Sequence, residues 1–381
     1  MTRPSHILAI LLGCCVATAG CSDRARSGER RTARGEGALV GEKTATRELG
    51  AEAEGRQSHP TAVSGIWIGP AEIAQLPTHG RYWDRLFQEA QAPAGRPDLS
   101  DQEEQVHQRV LAKALVFART GDTKLRFEVI DAVLGAMGTE RGARALAVGR
   151  NVLAYVVAAD LVHLPPDEDA RFRDWLRDLL DEKLHGKSLR STHMERPNNW
   201  GQHAGASRAG IAVYLGDRQE LERTARVFKG WLGDWNSWSE FEYGDYSWQA
   251  DREHPVGINP AGATRDGHSI DGVLPDDQRR AGPYTWPPPH ENYVYGALQG
   301  AMAQAVILSR AGYDVWQWQD KALLRAFLWL QREAHYPPEG DDIWLLPLVD
   351  HFYGTSFWDG TPTLPGKNMG WTDWTHGRHA G

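Results

Sequence analysis

Only three cysteines occur in 381 residues, Cys14, Cys15 and Cys21, and all of them fall within the first 21 positions. A domain that begins beyond them has no thiol for a disulfide or a cysteine-ligated metal, so its stability must come from packing. Alternating apolar and polar runs of the kind that form half-buried strands are scarce. The chain has no H-E-x-x-H zinc motif, no glycine loop that would cradle phosphate ahead of a helix and no EF-hand spacing. Neither a cofactor nor a metal is therefore expected. Positive charge is not gathered into a stripe either: the formal net charge is −8, which argues against a nucleic-acid partner.

At the N-terminus, Arg3 and His6 precede an apolar run from Ile7 to Ala19, too short to stay in a bilayer as a span and suited to an export signal. It ends in Thr18-Ala19-Gly20-Cys21, which resembles a bacterial lipobox with Thr18 in the usual leucine-like position. The expectation is a periplasmic or cell-surface lipoprotein that touches the membrane only through a lipid on Cys21. Residues 22–61 are rich in Arg, Glu, Gly, Ala and Thr with almost no large apolar side chains. Such a stretch cannot bury enough surface to offset its ordering entropy, and it reads as a tether between the signal (1–21) and a domain over 62–381.

From Ile66 onward the apolar residues recur at helical spacing. Ser100 with Glu103 has the form of a capping box ahead of Val106, Val110, Ala114, Leu115 and Ala118, which share one face. Further helical patterns run over 143–161, 167–184, 200–215, 221–232, 295–311 and 316–332, with Pro165 and Pro166 separating two of them and Asp217 to Glu220 forming a capping signature. Long helices with short joints pack as antiparallel hairpins, and enough hairpins can close into an incomplete α/α toroid. The fold class expected is thus all-α. The exception is 233–289, 57 residues dense in Gly, Asp, Pro, Trp and Tyr with little helical pattern. Long irregular segments inside a domain are usually functional.

Sixteen tryptophans are present, thirteen of them at or after Trp200. Their flat apolar faces suit stacking on sugar rings. Trp231, Trp316 and Trp329 sit in helical patterns and fit a core, whereas Trp235, Trp238, Trp248 and Trp286 of the long loop are the groove candidates. That loop holds four arginines (Arg252, Arg265, Arg279, Arg280) against ten acidic residues.

The stretch "RPNNWGQHAG" (196–205) concentrates amides and an imidazole. Asn198 and Asn199 follow Pro197 and open a helix, where an Asn side chain accepts from free backbone amides. His203 stands four residues after Asn199 and so on the same face, which lets both point into one cleft. Downstream come "DGVLP" (271–275), then Arg279 and Arg280, then "HENYVYG" (290–296) at the start of another helix. This ordered set resembles the alginate lyase superfamily of polysaccharide lyases. Its members carry Asn-Asn-His at a helix start, a D-G-x-L-P segment, an arginine and a later His-Asn-Tyr. Here Trp200 replaces the expected histidine, and the spacing leaves Tyr293 and Tyr295 both eligible. The resemblance covers about residues 66–350, and "PGKNMGWTDWTHG" (365–377) lies outside it.

The resemblance implies an α/α toroid whose cleft cuts an acidic polysaccharide, a uronic acid polymer of alginate or glucuronan type, by β-elimination. Such chemistry builds enolate-like charge on the uronate carboxylate, which preorganised amides and cations stabilise. Asn199 and Arg280 suit that role, with Asn198 as a second amide. Tyr293 or Tyr295, with His203 or His254, would move the protons. Trp200, Arg279, Trp248, Trp286 and His290 complete the candidate substrate contacts. A glycoside hydrolase drawing two carboxylates from Glu240, Glu242, Asp245, Asp251 and Asp271 is a competing reading. A non-catalytic polysaccharide-binding protein is a third.

Overall fold

The apolar repeats become helices because each can bury a face on its neighbour, and three of them are buried on nearly every side. In the computed structural model, which describes residues 64–378, these are α5 (Ala145–Val162), α8 (Asn199–Leu215) and α11 (Tyr293–Arg310). Before them come α1 (Pro70–Gln75), α2 (Arg81–Gln91), α3 (Val106–Thr120) and α4 (Thr123–Ala136). Between α5 and α8 run α6 (Pro166–Asp181) and α7 (Leu189–Glu195), and after α8 runs α9 (Arg218–Trp231). The rest are α10 (Pro275–Gln278), α12 (Trp318–Arg332), α13 (Leu345–Tyr353) and α14 (Thr372–Thr375). One two-stranded antiparallel pair, β1 (Thr264–Arg265) with β2 (His268–Ser269), accompanies them among the described residues. The all-α class read from the sequence holds. The export signal, Cys21 and the tether lie outside the described residues.

The core helices α3, α5, α8 and α11 pack in series, and α13, α14 and α2 lead from α11 back to α3. Close approach rests on glycine. A Cβ on Gly300 of α11 would lie 2.3 Å from the Gln202 carbonyl carbon of α8, and one on Gly149 of α5 would lie 3.0 Å from the Ala204 nitrogen. With no side chain between them the backbones nearly touch, and residues at the starts of α5, α8 and α11 are drawn toward one another. α5 is long and apolar enough to cross a membrane, but 94% of it is buried within this fold, as befits a core helix.

Local chemistry sets the helix ends. Asp217 accepts from the Glu220 amide at 2.9 Å and starts α9 as its sequence signature implies. The Ser100–Glu103 signature does not do the same. α3 begins at Val106 with Gln105 as its cap, while the Ser100 hydroxyl donates to Asp98 in a preceding turn at 2.6 Å. Asp98 and Asp101 capture the local amides, and Glu103 points to Arg150 instead. The first turn of α12 is irregular: Gln319, Asp320 and Lys321 adopt φ of 49°, 54° and 56°, and Arg325 donates to the Gln319 and Asp320 carbonyls, each at 3.1 Å.

The segment 233–289 is mostly irregular, as expected, but its acidic residues do structural work. Asp271 takes Arg325 at 2.5 Å and the Gly262 amide at 2.8 Å. Gly272, at φ +89°, brings the chain so near α12 that a Cβ would lie 2.3 Å from the Arg325 carbonyl oxygen. Trp248 is a correction to the groove expectation. It is fully buried, donates to the Gly282 carbonyl at 3.1 Å and packs edge-on against Tyr284 and Trp329.

Candidate active site

The start of α8 is held by two adjacent carboxylates of α10. Asn198 caps the helix, its oxygen accepting from the Trp200 amide at 3.2 Å and its nitrogen donating to Asp276 at 3.0 Å. Asp276 also takes the Gly244 amide at 3.1 Å and Arg279 at 2.7 Å. Asn198 and Arg279 are thereby committed to holding the backbone. The Asn199 amide donates to Asp277 at 3.1 Å. Burial, reinforced by the neighbouring Asp276, pushes the Asp277 carboxyl well above the usual range.

What remains is the Asn199 side chain. It is fully buried, and neither its oxygen nor its nitrogen has a hydrogen-bond partner. Buried polar groups are nearly always paired, so an orphaned amide at a helix start is a candidate to meet a ligand. It lies against Gly296 of α11, where a Cβ would come within 3.6 Å of its own.

One turn on, His203 is also fully buried. Its Nδ1 meets the Asn368 oxygen at 2.5 Å and its Nε2 has no partner. Burial and then the Arg150 charge pull its pKa down to about 3, against the Asn368 hydrogen bond, so the ring is neutral at ordinary pH. Arg150, in the second turn of α5, extends Nη1 toward Glu103 at 3.4 Å, and its Nε has no partner. The carboxylates of Glu103 and Asp341 bear on it. Tyr293 opens α11, is 36% exposed, and lies under the Arg280 guanidinium at 4.2 Å from its ring centre. Arg280 makes no ion pair among the described residues.

Asn199, His203, Arg280 and Tyr293 of the sequence candidates therefore gather at one end of the core helices, and Trp200 sits half-buried beside them on α8. The starts of α8 and α11 and the first turns of α5 meet here, and helix N-termini favour negative charge. The other candidates are placed elsewhere or are already occupied. The Tyr295 hydroxyl is buried and donates to the Tyr336 carbonyl at 2.5 Å, because two residues along a helix turn the ring to another face. His254 is exposed, bonded to Asp251 at 3.0 Å, and lines a separate cavity of about 240 Å³ with Trp235 and Gln319. Trp286 stacks on His268 at 4.3 Å, and His290 stacks on Tyr336 at 4.3 Å. The proposed hydrolase carboxylates Asp245, Asp251 and Asp271 each accept backbone amides in turns.

Three contributors escaped sequence reasoning. Arg150 hides in an apolar helix, and its signal would have been a lone cation in a run of Ala and Val. Lys367 and Asn368 belong to the closing segment 365–377, which lies outside the motifs. Lys367 bridges Glu103 at 3.3 Å and Asp341 at 3.1 Å, and its amide donates to Gln299 at 2.6 Å. No cluster of three or more metal-ligating side chains occurs among the described residues.

Residues 129–235 match the family model described as Alginate lyase. The matched stretch carries Arg150, Asn198, Asn199, Trp200 and His203, and it ends before Arg280 and Tyr293. Over it the chain is alginate lyase-like, in agreement with the resemblance read from its motifs. No curated protein matches the chain. The alginate lyase-like segment thus supplies the amide, imidazole and buried guanidinium, while the long loop and α11 supply the second cation and the phenol.

Proposed function

We propose that the protein cleaves a uronic acid polymer of alginate or glucuronan type by β-elimination, in a cleft at one end of an incomplete α/α toroid. The observation that carries this reading is the buried, unpartnered Asn199 amide at the start of a core helix, one turn before His203, which Arg150 faces. An amide donor, a guanidinium and a helix N-terminus together suit a carboxylate on which charge grows as the neighbouring C–H proton leaves. His203, neutral and unpartnered at Nε2, offers a lone pair. Tyr293, reachable from solvent and flanked by Arg280 and Arg150, is the better placed of the two tyrosines to hand a proton to the leaving oxygen. Trp200 and Arg280 would meet the sugar chain.

Export and lipid attachment at Cys21 belong to the same reading, since a polymer too large to enter a cell must be cut outside it. Incubating the protein with a panel of polyuronates and following ultraviolet absorbance of the unsaturated ends tests the chemistry. Alginate or glucuronan should yield absorbance together with new reducing ends. Reducing ends without absorbance would replace the lyase with a hydrolase.

A further inference from the structure

The closing segment reaches the candidate site through Lys367 and Asn368, and Asn368 is the one that touches His203. Asn368 is fully buried, and its amide nitrogen lies 2.7 Å from the Gly149 carbonyl oxygen. A carbonyl only accepts, so the nitrogen must be the atom facing it. That orientation turns the Asn368 oxygen to His203 Nδ1, 2.5 Å away. The oxygen also only accepts, so Nδ1 must carry a hydrogen. A neutral imidazole has one N–H, and Nε2 is then a bare lone pair.

We propose that Asn368 is a positioning residue that fixes His203 in its Nδ1–H tautomer and so makes Nε2 a standing acceptor in the site. The surroundings hold this arrangement from three sides. Gly366 donates to the Met369 carbonyl at 2.9 Å across the turn that contains Asn368, and Gln108 of α3 donates to the Gly366 carbonyl at 2.8 Å. Ser207 of α8 donates to the same Gly149 carbonyl at 2.8 Å, which fixes the point from which Asn368 is oriented. The charged groups facing the ring are Arg150 from α5 and Lys367 from the closing segment, both cationic. They oppose a second proton on the ring, so the tautomer and not the charge is what Asn368 sets. With the opposite tautomer Nε2–H would be a donor, and the site would have no neutral acceptor beside Asn199. The role in turnover rests on the lyase reading, but the tautomer does not.

The test is long-range proton–nitrogen NMR of the full-length protein labelled at histidine nitrogens, with the His203 signals identified by their loss in His203→Gln. The wild type should show the Nδ1–H pattern for His203 without substrate. Asn368→Leu, which removes the acceptor, should abolish that preference and lower kcat on a responsive polyuronate by about 10²-fold or more, with KM little changed, as expected when a catalytic imidazole loses its orienting partner. If Asn368→Leu does not fold, Asn368→Asp places an anion at Nδ1 and should raise the His203 titration midpoint. An Nε2–H pattern in the wild type, a folded Asn368→Leu that keeps the Nδ1–H pattern, or an unmoved midpoint in Asn368→Asp overturns the proposal. A wild type with the Nδ1–H pattern but no eliminase activity on any polyuronate sinks the lyase reading and leaves the positioning role standing.

Discussion

Replacing Asn199 with Ala should separate function from stability in one variant. The side chain is buried with both polar atoms unpartnered, an arrangement that costs about 1–3 kcal/mol of desolvation per unsatisfied group. Truncation relieves that penalty. It leaves a small gap against Gly296, whose filling atoms are worth about 1 kcal/mol or less per methylene-sized group. The hydrogen bond from residue 199 to Asp277 uses the backbone amide and survives. Alanine also has the highest helix propensity, a gain of about 0.5 kcal/mol at an early helical position. The balance is a stability unchanged or raised by about 1 kcal/mol in urea unfolding. Turnover should move the other way, falling about 10²- to 10³-fold, the scale of losing one preorganised donor to developing charge. Urea melts and initial rates of absorbance on the same preparation read both. A variant destabilised by 2 kcal/mol or more with near-normal turnover would show that Asn199 is a structural cap and refute the reasoning.

The two tyrosines should behave oppositely. Tyr293→Phe should lose roughly 10²- to 10⁴-fold in turnover at unchanged stability, whereas Tyr295→Phe should keep most activity and lose about 1 kcal/mol with its bond to the Tyr336 carbonyl. The reverse pattern in rate assays and melts would move the proton carrier to Tyr295. Burial holds His203 at a pKa of about 3, so its stability contribution is complete above the unfolded value near 6.5 and declines as pH falls from there toward 3. Between pH 6.5 and 5 that is about 2 kcal/mol, and His203→Gln should show an acid loss smaller by this amount in paired urea titrations; equal losses would contradict a neutral buried ring. Asp342 runs the other way. Burial raises its carboxyl to about 7, so the stability it gives is present below about 4 and lost as pH rises through 7. Asp342→Asn should therefore melt higher than wild type at pH 8 but not at pH 4, and a uniform shift would argue against protonation as the cause. Gly300→Ala should destabilise by several kcal/mol, because its Cβ meets the Gln202 backbone at 2.3 Å and neither helix can yield locally. A melt within 1 kcal/mol of wild type would show that α8 and α11 can part.

Periodicity in the sequence determines the helices themselves, since apolar spacing and capping are properties of near neighbours. α5, α8, α9, α11 and α12 start and stop within a few residues of where Leu, Val, Asp217 and the paired prolines place them. Asn199, His203, Arg280 and Tyr293 are legible for the same reason, each standing in a short motif whose order is readable along the chain. Tertiary packing alone decides which motif residues face one another. Tyr293 and Tyr295 are equal in sequence and differ only because α11 turns one toward Arg280 and the other toward Tyr336. Trp248 and Trp235 lie in one loop, yet Trp329 and Tyr284 close over the first and leave the second 37% exposed. Ser100 resembles a cap until Asp98 takes its hydroxyl. Arg150 and Asn368 stand 218 positions apart and meet His203 only because Gly149 lets α5 press against α8 and exposes a carbonyl to the closing segment. A motif records what one segment can offer, but the charge and hydrogen-bond partners that fix its protonation come from segments far along the chain, and only the packed fold brings them within reach.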